Sequence, residues 1–304
     1  MSKDRARRAA RSVGAASAAA ILALTLAACG ASQPLPEETI ESLTSVTEAP
    51  AALDAAALEE YDIELHPEPV VAPLECTPYL VVTARGTAEP RKKKQLLSPV
   101  VRAIKKALPE QVATLDLDYP ADTDVNLGGT RGARLLLDTL NVQSEACPEQ
   151  RFVLLGYSQG ALIVGDALAD APSRLVGVAA GQLSEAAADR VVAVVLYGNP
   201  RFSGAEPYAS GSYDEALGGI LPREASSLDV FADRIRDFCV KTDFICQSSM
   251  DLNEKGHVAY FKNGMQQDGA EFVLERIAAL TGGEPHAEAP SEQPHSELEN
   301  SGAE

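Results

Sequence analysis

Two long stretches of this 304-residue chain contain no lysine or arginine. Residues 30–75 carry eleven acidic side chains and residues 282–304 carry six, which together explain most of the formal net charge of −18. Both stretches have few large apolar groups and cannot bury enough surface to offset the entropy of ordering. We therefore predict an acidic disordered tether over 29–75 and an acidic disordered tail over 283–304. The lack of a basic stripe also argues against nucleic-acid binding.

The N-terminus has the pattern of an export signal. Residues 1–28 begin with five basic side chains and continue into a short, alanine-rich apolar run, which is unsuited to a permanent membrane span. The signal ends in "LAACG", which resembles the lipobox of bacterial lipoproteins and implies lipidation of Cys29. We expect an exported protein, anchored through this lipid at the extracellular face of the membrane. The alternative is ordinary cleavage nearby, which would release a secreted protein with a free thiol.

Cysteines are few and odd in number. Export implies an oxidising compartment, in which five cysteines leave one without a partner. Lipidation of Cys29 would leave four, which allow three pairings. The simplest joins Cys76 to Cys147 and Cys239 to Cys246.

Residues 76–282 alternate between apolar strands and helical patterns. The strands are apolar on both faces, which is typical of a parallel sheet covered by helices on both sides. We predict a three-layer α/β/α sandwich with a mostly parallel central sheet. A long Gly-, Pro- and Ser-rich stretch over 199–229 is predicted to be a loop region.

A serine lies where one predicted strand passes directly into a helix. The sequence there is "LLGYSQGA", with Ser158 inside a G-x-S-x-G motif. A strained strand-to-helix turn would lift the serine hydroxyl above the sheet, and the glycines leave room for the close approach of helix and strand. The sequence therefore predicts that Ser158 is a nucleophile, which requires a base.

Histidines are scarce, and this limits the choice of base. Only His257 lies inside the predicted domain, because the other three fall in the tether and the tail: His66, His286 and His295. The orienting carboxylate is predicted to be Asp243, since a loop between Cys239 and Cys246 could hold its geometry. The alternatives are Asp237 and Asp251. The order Ser, Asp, His is that of α/β-hydrolases.

From Cys76 to about Gly282 the sequence resembles the cutinase family of serine esterases. The matching elements are "CTPYLVVTARGT", "ACPEQRFVLLGYSQG", "CVKTDFIC" and "GHVAY", in the order of the family. The resemblance implies the catalytic roles of Ser158, Asp243 and His257. It also implies an oxyanion hole from the backbone N–H groups of Gln159 and Thr87, and it supports the two disulfides above.

The resemblance further implies a lidless α/β-hydrolase with a shallow, exposed site. We expect a monomeric carboxylic ester hydrolase that acts on lipid or polyester esters and needs neither a metal nor an organic cofactor. The loop over 201–229 could form an apolar rim for acyl chains, or it could be a plain connector. Two other functions stay open: a catalytically idle surface protein that binds lipid or cell wall, and an acyltransferase or thioesterase.

Overall fold

A parallel β-sheet forms the centre of the part of the chain that the structure describes, which comprises residues 58–91, 96–248 and 254–282 of a computed structural model. Its six strands are β1 (Tyr79–Ala84), β2 (Val112–Asp116), β3 (Arg151–Tyr157), β4 (Val191–Tyr197), β5 (Ala209–Ser212) and β6 (Ile235–Val240). They lie in the order β2-β1-β3-β4-β6-β5, and every neighbouring pair is parallel.

Helices cover both faces of this sheet. They are α1 (Leu97–Ala107), α2 (Val125–Ala146), α3 (Gln159–Leu168), α4 (Glu185–Arg190), α5 (Phe244–Gln247), α6 (Glu254–His257) and α7 (Met265–Thr281). Alternate strand residues explain the two layers, since Leu80 and Val82 pack with α2, α3 and α4, whereas Val81 packs with α1 and α7. The predicted three-layer α/β fold is confirmed.

The region predicted as a loop over 199–229 contains one strand that the sequence did not reveal. Strand β5 has the sequence "ASGS", with no apolar alternation, and it pairs with β6 at the edge of the sheet. At Gly211, where φ is 104°, a Cβ would overlap the carbonyl oxygen of Cys239. The strand therefore forms through close backbone pairing, which composition does not predict.

Residues 58–75, which we call the strap, lie against α2. Nη2 of the buried Arg134 donates to the carbonyl oxygens of His66 at 2.9 Å and Glu68 at 2.8 Å. The N–H of Val70 donates to Asp138 Oδ2 at 2.8 Å, and that of Leu74 donates to Gln143 Oε1 at 2.7 Å.

The strap differs from the predicted disordered tether, which extended to residue 75. The reason is that the strap is held largely by hydrogen bonds of its backbone, and these leave no mark on composition. Its partners are buried polar side chains of α2, which would lose hydrogen bonds without it.

Several predicted features lie outside the described residues. They are the export signal over 1–28, Cys29, the tether up to residue 57, the tail over 283–304 and Asp251. Among the residues that the structure describes, none of the helices combines the length and hydropathy needed to span a bilayer.

Candidate active site

Ser158 occupies a sharp turn between β3 and α3. Its backbone has φ 52° and ψ −119°, in a region that costs a non-glycine residue about 1–3 kcal/mol. At Gly160 a Cβ would overlap the carbonyl oxygen of Ala84, so glycine is needed for the close approach of α3 to β1. The predicted strand-turn-helix geometry around this serine is therefore present.

His257 lies at the end of α6 and faces Ser158. Its Nε2 is 2.9 Å from Ser158 Oγ, and its Nδ1 is 3.0 Å from each carboxylate oxygen of Asp243. With the proton on Nδ1, the ring donates to Asp243 and turns the Nε2 lone pair to the serine hydroxyl. The structure thus brings together the three residues that the sequence singled out.

The residue just before the serine supports this histidine. The ring of Tyr157 stacks on the imidazole with centroids 5.0 Å apart, and its hydroxyl donates to the carbonyl oxygen of His257 at 3.0 Å. Gly198, with φ 55°, gives the histidine room, because a Cβ there would lie 2.8 Å from its Cε1. The ring stacking and the hydrogen bond of Tyr157 together hold the imidazole in place.

Asp243 is fully buried and has hydrogen-bond partners on both oxygens. Its Oδ1 accepts the N–H of Ile245 at 2.9 Å, as the N-cap of α5, and its Oδ2 accepts the hydroxyl of Tyr260 at 2.6 Å. The disulfide Cys239–Cys246 forms around it as predicted, and so does Cys76–Cys147 at the end of the strap.

The alternative orienting carboxylate, Asp237, points elsewhere. It lies in β6, where its Oδ2 accepts the side-chain amide of Asn199 at 2.7 Å. Burial raises its pKa to about 7, against the smaller opposing effects of Asn199 and Arg223. No hydrogen bond joins it to His257 within the described part of the chain, so of these two aspartates it is Asp243 that contacts the imidazole.

Thr87 and Gln159 lie beside the serine. The backbone N–H of Gln159 is at the first position of α3, where helix donors have no partner within the helix. The hydroxyl of Thr87 donates to Gln159 Oε1 at 3.3 Å, and a Cβ on the preceding Gly86 would lie 3.4 Å from that of Ser158. The loop that was predicted to supply the second oxyanion donor is therefore adjacent to the nucleophile.

Arg85 fixes the shape of this loop. Its guanidinium donates to the carbonyl oxygens of Glu89, Leu117, Tyr119 and Pro120. The N–H of Gly86 in turn donates to the carboxylate of Glu89 at 2.9 Å. Sequence reasoning missed these contacts, because nothing in "TARGTAE" shows which carbonyl groups the arginine reaches.

Within the described ranges, His, Cys, Asp and Glu side chains form no group of three or more that could hold a metal ion. The arrangement that is present can activate a serine hydroxyl. A buried carboxylate orients a histidine, and the histidine hydrogen-bonds the hydroxyl.

Comparison with known proteins gives one family. The family model described as cutinase matches residues 75–277. A cutinase of Kineococcus radiotolerans is 31% identical over 205 residues, which cover 67% of this chain and 63% of that protein, or slightly less than two thirds of its length. The phospholipase Culp4 of Mycobacterium tuberculosis is 31% identical over 204 residues, covering 66% of this chain and 80% of that protein.

A solved structure of an acetyl xylan esterase is similar over its whole length. It superposes with a TM-score of 0.59 at 25% identity and covers 67% of this chain. The residues matched by the family model, 75–277, contain the six strands of the sheet and its flanking helices up to the last turn of α7.

Proposed function

Since the chain belongs to the cutinase family of carboxylic ester hydrolases, we propose that it is a serine esterase that works through an acyl-enzyme. One observation carries the proposal. The hydrogen bonds from Asp243 through His257 to Ser158 Oγ, at 3.0 Å and 2.9 Å, form a line that starts at a buried carboxylate.

In the proposed reaction, Ser158 Oγ attacks the ester carbonyl carbon while His257 Nε2 takes the hydroxyl proton. Asp243 stays ionised and stabilises the imidazolium that forms. The tetrahedral oxyanion accepts hydrogen bonds from the N–H groups of Gln159 and Thr87. His257 then gives its proton to the leaving alcohol. Water next attacks the acyl carbonyl while His257 takes its proton, and His257 returns that proton to Ser158 Oγ as the carboxylic acid leaves.

We propose lipid or polyester esters as the substrate class. Val258 directly follows His257, and 46% of its surface is exposed, which provides apolar surface next in sequence to the proposed base. The loop over 201–229 is tied to the last turn of α3, the helix that follows the nucleophile, because Arg201 and Arg223 both pair with the buried Asp166 at 2.6 Å and 2.8 Å. A fixed loop is suited to form one wall of an acyl site.

Replacing Ser158 by alanine tests the function. Ser158→Ala should lower kcat for p-nitrophenyl butyrate by several orders of magnitude, because only binding and oxyanion stabilisation are left. Ser212→Ala, at an exposed serine of β5, is the control and should turn over like the wild type. Turnover by Ser158→Ala close to that of the wild type would refute the proposal.

The same two variants separate an esterase from an idle binding protein. A fluorophosphonate probe reacts only with an activated serine, so it should label the wild type and Ser212→Ala but not Ser158→Ala. Absence of labelling in the wild type would favour the idle protein.

We also propose that the protein is exported and anchored by a lipid on Cys29. The support is the basic and apolar pattern of residues 1–28 followed by "LAACG". Growth with an alkyne-tagged fatty acid should label the wild-type protein, and Cys29→Ser should lose the label and leave the membrane fraction. Equal labelling of both proteins would contradict the anchor.

A further inference from the structure

The hydroxyl of Tyr260 is enclosed by protein and contacts Asp243. Tyr260 has no exposed surface, and its hydroxyl donates to Asp243 Oδ2 at 2.6 Å. The hydroxyl oxygen of Tyr260 also accepts the N–H of Val240 at 3.2 Å, so the hydroxyl acts both as a donor and as an acceptor. These two contacts orient the hydroxyl so that its O–H bond points at the carboxylate of Asp243.

The geometry of Asp243 explains why such a contact is needed. Both carboxylate oxygens are 3.0 Å from His257 Nδ1, so the histidine alone does not select one rotamer of the carboxylate. The last torsion of an aspartate is soft. Two other donors distinguish the oxygens, since Ile245 donates to Oδ1 and Tyr260 donates to Oδ2.

We propose that Tyr260 is a positioning residue of the reaction, which fixes the Asp243 carboxylate and thereby the imidazole of His257. This inference rests on the function proposed above. The hydroxyl adds a hydrogen bond to a charged group, and such bonds are about twice as strong as those between neutral groups. It therefore stabilises the ionised carboxylate that the imidazolium needs.

The surroundings keep this donor available. Burial, with the charge of Asp243 as the next cause, raises the pKa of Tyr260 well above its usual value, so the hydroxyl keeps its proton. The ring packs edge-on against Tyr157 at 6.4 Å and Tyr197 at 5.9 Å between centroids. Cys246 Sγ lies 3.4 Å from the hydroxyl, which brings the disulfide next to the same contact.

Tyr260→Phe tests the proposal, with Tyr197→Phe as the matched control. Tyr197 is a buried tyrosine of the same aromatic group, but its hydroxyl donates to the carbonyl oxygen of Met265 at 3.2 Å and not to the triad. We expect Tyr260→Phe to lower kcat for p-nitrophenyl butyrate about ten- to a hundredfold with little change in KM. Tyr197→Phe should keep kcat within about twofold, although both variants lose a buried hydrogen bond.

A second pair of variants shows whether Tyr260 acts through Asp243. In the Asp243→Asn background, Tyr260→Phe should cause no further loss of kcat, because the carboxylate it would position is gone. Equal losses in both backgrounds would mean that the tyrosine acts independently of Asp243, and would overturn the proposal.

Loss of folding and failure of the function can be told apart from failure of this inference. Rates are expressed per folded molecule, with the folded fraction taken from circular dichroism. For a variant of low stability, the rate of fluorophosphonate labelling is measured at low temperature. Wild-type rates for Tyr260→Phe, while Ser158→Ala is inactive, would overturn the positioning role and leave the esterase intact. Activity in Ser158→Ala would instead refute the proposed function itself.

Discussion

Asp138 and Asp243 are both buried carboxylates, but they face different kinds of partner. Asp138, on α2, pairs with Nε of Arg134 at 2.8 Å and accepts the backbone N–H of Val70. Asp243, beyond β6, faces His257 and Tyr260. An arginine stays charged at any working pH, whereas a histidine can gain and lose a proton. The first carboxylate is therefore suited to a permanent structural contact, and the second to supporting a histidine that takes up and gives back a proton.

The two disulfides also differ, because one stabilises the fold and the other lies around the proposed active site. Cys76–Cys147 spans 71 residues and joins the end of the strap to the end of α2, and loop-closure entropy gives it about 4 kcal/mol of stabilisation. Cys239–Cys246 spans 7 residues, for which the same model gives about 2–3 kcal/mol, and it encloses Asp243. The longer disulfide thus contributes more to stability, and the shorter one fixes the geometry around Asp243.

Exchanging each carboxylate for an amide tests this division most strongly. Asp243→Asn should lower kcat about 10⁴-fold, because an amide favours the wrong histidine tautomer. It should leave stability less affected, since asparagine can still cap α5. Asp138→Asn should lower the free energy of unfolding by about 3–5 kcal/mol, because the buried Arg134 loses its charged partner, and should keep kcat.

Steady-state kinetics and urea unfolding of both variants check this prediction. The division between the two regions would be wrong if folded Asp138→Asn showed a loss of kcat similar to that of Asp243→Asn. It would also break down if Asp243→Asn unfolded more easily than Asp138→Asn.

The proximity of Ser158, Asp243 and His257 was largely predictable from sequence, because the signals that single out these residues can be read without the fold. Ser158 has a motif around it, His257 is the one histidine inside the predicted domain, and Asp243 lies between two cysteines seven positions apart. The signals for Ser158 and Asp243 lie within a few residues, and the one for His257 needs only a count of histidines over 76–282. The sheet was predictable for a similar reason, since each central strand is a continuous apolar run.

The strap and Tyr260 were not predictable, because their contacts are not local in sequence. The strap depends on hydrogen bonds between residues 68 positions apart, made by its backbone with side chains of α2. Tyr260 stands in "GHVAYF" three residues after the histidine, where an aromatic side chain could equally serve the core. Only the fold shows that its hydroxyl reaches Asp243.

A smaller effect is expected from a change in the strap itself. Val70→Pro removes the N–H that donates to Asp138, whereas Val70→Ala keeps it and trims a side chain that is 48% exposed. A hydrogen bond to a charged group contributes about 1.5–3 kcal/mol, so Val70→Pro should lower the free energy of unfolding by about that amount relative to Val70→Ala. Neither variant should change kcat, because the strap does not contact the triad.

Limited proteolysis locates the effect of Val70→Pro. A glutamate-specific protease should cut Val70→Pro after Glu64 faster than Val70→Ala, with the products identified by mass spectrometry. Glu64 lies two residues before His66, whose carbonyl oxygen Arg134 holds, so release of the strap frees this backbone for the protease before the sheet unfolds. Equal cleavage and equal stability of the two variants would mean that the domain does not depend on the strap, and that its stable part begins near Cys76.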